Sequence, residues 1–251
     1  PTTFGTTTVL LPALTVSSIS LPASTFRPSL GLVEKQKTGS LIPGVDRITD
    51  VGNEVHRNWA KEVADKSVTL VKDEQNLLPI SPKKYKRLYL NVIQKELTPN
   101  TPLATAWKER FEKEGFEVTV RDRSVSITPF DLGNPNISKE KAQLIAELYH
   151  SIEETKKEYD LYVYIVNMQN ASNNTTLRLN WSVMFGLGDD APWFAKEVPT
   201  MMISLACPYH LFDASMIDTY INAYSASPIV ADAVVEKDGI ENDDRENDPC
   251  H

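Results

Sequence analysis

Two places in the chain carry side chains suited to recognition or catalysis. The first is the polar stretch Asn167-Met168-Gln169-Asn170-Ala171-Ser172-Asn173-Asn174-Thr175-Thr176, which runs on into Leu177-Arg178-Leu179-Asn180-Trp181. Asn170 and Ser172 supply amide and hydroxyl groups there, and Arg178 adds a guanidinium fork that can bond carboxylate, carbonyl or sugar oxygens. No general acid or base accompanies them. The set therefore suits either sugar hydroxyls or a polar contact with another domain, and both readings stay open. The second place is His210, in Pro208-Tyr209-His210 after a strongly apolar run. In a parallel sheet the carboxyl ends of strands line the binding crevice, so His210 is the best placed of the four histidines.

Other chemistries lack their residues. Neither GxGxxG nor GxxxxGKS/T occurs, and Gly186-Leu187-Gly188 does not link a strand to a helix. A serine nucleophile elbow, GxSxG, is missing. His56, His150, His210 and His251 show neither Hx₃H nor HExxH spacing, and two cysteines form no metal or disulfide pattern. No residue is expected to be catalytic, and no metal site or cofactor is expected. The net charge of -8 and pI near 5.1 give no electrostatic reason to expect nucleic acid as a partner. No apolar run reaches the ~18 residues of a membrane span.

The elements that must position these groups follow from periodicity. Residues 1–45 read as a linker or the remnant of a preceding segment, with twelve Ser or Thr among the first thirty residues. Residues 46–237 read as one domain and 238–251 as an acidic tail, the latter with no calcium-loop pattern. Val51, Val55, Trp59, Val63, Ala64 and Val68 recur at helical spacing and predict one helix, ending near Val71, whose apolar stripe faces a core. Strands are predicted at 87–93, 116–120, 160–167, 199–206 and 219–224. Helices are predicted at 102–114, closed by Gly115, from Ser138 to about Tyr159, and from Pro228 to about Lys237. Strands apolar on both faces, separated by amphipathic helices, predict an α/β fold: a three-layer α/β/α sandwich with a mostly parallel sheet, strand 160–167 central.

Several ordered motifs then resemble one family. Glu62-Val63-Ala64-Asp65-Lys66-Ser67-Val68-Thr69-Leu70-Val71-Lys72-Asp73, followed by Leu77-Leu78-Pro79-Ile80, is similar to the opening of the second domain in family 3 glycoside hydrolases. The segments Ser172 to Trp181, Pro199 to Leu211 and Tyr220 to Lys237 resemble the Gram-positive β-N-acetylglucosaminidase branch of that family. The resemblance covers roughly residues 50–237.

The resemblance implies a carboxy-terminal accessory domain of an enzyme cleaving terminal β-N-acetylhexosamine. Its partner would be the amino-terminal TIM barrel of the same enzyme, with an amino-sugar glycan as a further ligand. In the family the barrel bears the aspartate nucleophile and, in this branch, a K-H-F-P-G-H-G loop with the acid/base histidine. Neither maps onto this sequence, so the chain alone is expected to be inactive. An extracytoplasmic bacterial location follows from the same resemblance. The alternative is a stand-alone glycan-binding module without catalysis.

Overall fold

The computed structural model describes residues 31–39, 44–94, 101–122, 124–125, 127–148, 150–169, 178–179, 181, 183–184, 187–188 and 191–236. The chain divides into two units, Pro1–Asn53 and Glu54–His251. In the first, a short helix α1 (Leu32–Lys37) follows Gly31, and a 3₁₀ helix spans Val45–Asp50 with none of its residues buried. Arg47 Nε bonds Asp50 at 2.5 Å within that turn.

The second unit is an α/β sandwich. Its helices are α2 (Glu54–Ser67), α3 (Pro102–Lys113), α4 (Lys139–Leu148), α5 (Ile152–Glu158) and α6 (Pro228–Val234). Its main strands are β1 (Thr69–Asp73), β2 (Arg87–Gln94), β3 (Glu117–Val120), β4 (Leu161–Asn167), β7 (Thr200–Ser204) and β8 (Thr219–Asn222). Two short strands, β5 (Val183–Met184) and β6 (Leu187–Gly188), pair with each other. The six-stranded sheet has the order β1-β8-β7-β4-β2-β3 and is parallel except for β1, which runs antiparallel to β8. The mostly parallel sheet predicted above is the one observed, with the apolar β4 in its interior.

Side chains alternate across the sheet and feed two cores. On one face Leu88, Leu90, Val163, Ile165, Met201, Ile203 and Ile221 pack against Ala64 of α2, Trp107 and Phe111 of α3, and Val230 and Val234 of α6. On the other, Tyr162, Tyr164, Met202 and Tyr220 meet Phe194, Ala195, Val198, Ala214 and Ile217, with Ile152 of α5 beside them. Each fully buried aliphatic side chain contributes on the order of 1.5–3 kcal/mol.

Local signals set the boundaries. Thr101 caps α3 through the Ala104 amide at 3.2 Å, Pro102 takes the first helical position, and Gly115 stops the helix at φ 98. Arg87 and Asp160 tie the starts of β2 and β4 together: the Arg87 amide and Nη2 each donate to the Asp160 carboxylate at 2.7 Å.

Three details differ from the periodic reading. The helix predicted from Ser138 to Tyr159 is two helices, because Ser151 and Glu154 form a capping box that starts a new one. The first helix stops at Ser67, and Thr69–Asp73 becomes an edge strand with a bulge between Leu70 and Lys72. The stripe on α2 also does not face the core: Val55, Trp59 and Val63 are exposed, and only Ala64 is buried.

Candidate functional site

Four adjacent parallel strands finish on a polar residue. Gln94 lies opposite Asn167 where β2 and β4 end, and Ser204 lies opposite Asn222 where β7 and β8 end. Everything before them on these strands is mostly apolar, so the sheet changes from core to polar edge within one residue. This carboxyl edge is where open parallel sheets place their ligands.

Ser204 and His210 form the centre of the edge on the β7 side. Both are buried, at 1% exposure each. The Ser204 hydroxyl lies 2.6 Å from the Cys207 carbonyl and 2.7 Å from His210 Nδ1. A carbonyl can only accept, so the hydroxyl proton goes to Cys207 and Nδ1–H donates to Ser204. His210 Nε2 is then a bare lone pair, buried and without a partner among the described residues. Burial, the largest influence, pulls the His210 pKa below 6.5, against the opposing charge of Asp213, so the ring is neutral at pH 7. Asn222 donates to the Pro208 carbonyl at 3.4 Å, leaving its own carbonyl oxygen without a partner among the described residues.

This is not a nucleophile–base pair. The serine proton already points at a carbonyl, and the facing ring nitrogen already carries a proton, so His210 cannot deprotonate Ser204 in this arrangement. What the network does is fix the turn that leaves β7.

That turn also holds Arg178. A 3₁₀ helix at His210–Phe212 delivers Asp213, whose side chain is 7% exposed. One Asp213 oxygen takes Arg178 Nε at 2.5 Å and also faces Nη2; the other takes the Leu179 amide at 2.9 Å. The Asp213 main-chain carbonyl accepts from Trp181 Nε1 at 2.7 Å. Arg178 itself stays 68% exposed, so its remaining donors face solvent from a fixed base.

Of the four residues singled out in the sequence, the structure therefore brings Arg178 and His210 to one turn. Asn170 and Ser172 lie outside the described residues. Ser204, Asp213 and Asn222 join the site only in the structure. Ser204 and Asn222 had a signal, the single polar residue closing an apolar run, whereas Asp213 had none. No group of three or more metal-binding side chains occurs among the described residues.

No protein-family model matches the chain. A curated relative, the β-N-acetylglucosaminidase/β-glucosidase of Cellulomonas fimi, is 28% identical over 209 residues, which make up 83% of this chain and 34% of that enzyme. Among solved structures, β-glucoside phosphorylase BglX is 34% identical with a TM-score of 0.63, both by itself and bound to 2FGlc. The match covers 84% of this chain and 34% of that one. The chain is homologous to a part of the family 3 glycoside hydrolases. It spans about a third of the length of these relatives, at 34% of each. A family 3 β-N-acetylglucosaminidase from Paenibacillus sp. str. FPU-7 aligns at 14% identity and a TM-score of 0.46, over 84% of this chain and 36% of that one.

Proposed function

We propose that this chain serves as the carboxy-terminal accessory domain of a family 3 enzyme that cleaves terminal β-N-acetylhexosamine, beside a barrel that bears the reacting groups. The observation that carries this reading is the lopsided match: more than four-fifths of the chain aligns, with only 34% of each relative. The chemistry agrees. Retaining cleavage needs a nucleophilic carboxylate and an acid/base on opposite sides of one bond. Among the described residues of the carboxyl edge, the Ser204 hydroxyl is bound between Cys207 and His210, the Asp213 carboxylate is bound to Arg178 and Leu179, and Arg178 is a binding group without acid or base character. The edge would hold the neighbouring domain or the sugar. A cell-envelope or secreted location belongs to the same proposal.

The test is an exchange. The matching region of the Cellulomonas fimi enzyme is replaced by this chain, and turnover of an aryl N-acetyl-β-glucosaminide is followed. The chimera is expected to be active, and this chain by itself inactive. An arm with added inorganic phosphate distinguishes hydrolysis from phosphorolysis, the reaction class named for BglX. Turnover by the chain alone that vanishes on removing one of its own carboxylates would overturn the proposal. An inactive chimera with normal folding would favour the stand-alone binding module.

A further inference from the structure

A second concave site lies away from the Ser204–His210 edge. It is a cleft of about 380 Å³ between the tyrosine-bearing face of the sheet, the end of β3, helices α4 and α5, and the segment Trp193–Phe194. None of Arg178, Ser204, His210 or Asp213 lines it.

One wall is aromatic. The ring centroids of Tyr89, Tyr159 and Tyr162 are 5.0 to 5.6 Å apart, Tyr162 continues to Phe194 at 4.4 Å, and Trp193 adjoins Phe194 at 5.5 Å. Trp193 is 49% exposed and leaves part of its ring open to a ligand. The polar groups of the lining are mostly planar, Arg121, Asp122, Glu140, Gln143, His150 and Glu158, set among the apolar Val120, Val125, Leu144 and Ala191.

The chemistry of this lining discriminates among ligands. Three carboxylates against Arg121 repel an anion. An apolar ligand would strip water from polar groups without replacing their bonds. A cation would want a carboxylate aimed at it, but these are turned elsewhere. Asp122 accepts the Ser124 amide at 2.8 Å, Glu140 is bonded to its own amide and to Ser138, and Glu158 faces His150 Nδ1 at 3.5 Å. They remain acceptors held in fixed positions. A neutral ring with C–H groups on its faces and hydroxyls around its rim meets both walls: its faces lie on Trp193 and the partly buried Tyr89 and Tyr159, with the buried Tyr162 and Phe194 behind them, and its hydroxyls bond the planar polar groups. The volume sits at the small end of the ~300–1,000 Å³ typical of ligand pockets.

We infer that the cleft lined by Tyr89, Tyr159, Tyr162 and Trp193 binds a neutral monosaccharide or disaccharide, separately from the Ser204–His210 part of the edge. This reading does not rest on the accessory-domain proposal, since every described lining residue belongs to the second unit.

The test uses the full chain alone. Glucose, N-acetylglucosamine and their β-1,4-linked disaccharides are titrated, with saturation-transfer NMR and tryptophan fluorescence as readouts. Saturable binding by at least one sugar is expected. Trp193→Ala should weaken it roughly tenfold, a loss of ~1.4 kcal/mol, at an unchanged melting temperature. Gln143→Ala should weaken it at unchanged fluorescence of Trp193, and Trp59→Ser, on α2, should bind as the parent does. Three outcomes overturn the inference: no saturable binding by any of the four sugars, binding untouched by Trp193→Ala, or stronger binding of tetramethylammonium than of every sugar. An inactive chimera in the exchange experiment above leaves this inference intact, and failed sugar binding here leaves the chimera's prediction intact.

Discussion

Asp213 holds Arg178 from below: a carboxylate with 7% exposure grips the Nε of a guanidinium with 68% exposure at 2.5 Å. The asymmetry sets what each partner does. Asp213 also takes the Leu179 amide and, through its own carbonyl, the Trp181 indole, so it organises three residues of a distant segment. Arg178 rests on that arrangement.

Removing the two partners should therefore have unequal effects. Asp213→Ala leaves the Leu179 amide without its acceptor and should destabilise the fold by about 1–3 kcal/mol. Arg178→Ala removes an exposed partner and should cost at most ~1 kcal/mol. Urea unfolding of the two variants checks the order. Equal losses would show that the ion pair, and not the backbone contact, carries the stability.

His210 should make stability pH-dependent in the acid range. Its folded pKa is lowered by burial, so between that value and 6.5 the unfolded chain binds more protons than the folded one. Stability is unaffected by this residue above pH 6.5 and falls as pH drops through that window. His210→Gln should flatten this part of the melting-temperature profile, and an NMR titration of the imidazole should place its midpoint below 6.5.

Asp131 behaves in the opposite sense. Lys141 donates to its carboxylate at 2.9 and 3.0 Å, and the Thr128 amide and hydroxyl each donate at 2.7 Å. Together, with Lys141 the largest influence, they lower its pKa to about 2. The stabilisation is full above the ordinary value of 3.8 and is lost as pH falls towards 2. Carboxyl-carbon NMR should find the midpoint near 2, and Lys141→Met should move it upward. An unmoved midpoint would assign the shift to Thr128 alone.

Two tryptophans separate the helix faces. Trp59 is 59% exposed on α2, and Trp107 is fully buried on α3. Trp59→Ser should change stability by no more than ~0.5 kcal/mol. Trp107→Ala should cost ~3–5 kcal/mol. Comparable losses would return the α2 stripe to the core.

The same contrast shows how far the sequence could be read. The strand at β4 was legible because Leu161 to Val166 are apolar without a break, which only a strand covered on both faces allows. The spacing of Val55, Trp59 and Val63 correctly announced a helix, but periodicity says which residues share a face and not what that face meets. The α4–α5 break was hidden because apolar spacing continues across it, although Ser151-Ile152-Glu153-Glu154 carries the capping signature. Strand β1 was missed because it is short, partly exposed and directly follows a helix. At the site, His210 stands out in the sequence because it follows the apolar run of β7, and Arg178 because it lies between two leucines after a polar stretch. Asp213 could not be foreseen, because its link to Arg178 exists only once the chain has folded.

The pairing of β1 with β8 has a consequence for the order of events in time. Thr69 lies opposite Asn222, so the first strand of the sheet to leave a ribosome bonds to the last. Until Asn222 emerges, residues 69–73 have no ladder to join, and the interior pairs β2–β4 and β4–β7 must also wait for distant segments. A chain halted before Thr219 leaves one side of β7 bare, an open template for any passing strand. Synthesis of β8 thus closes the sheet twice over, covering β7 on one side and recruiting β1 on the other.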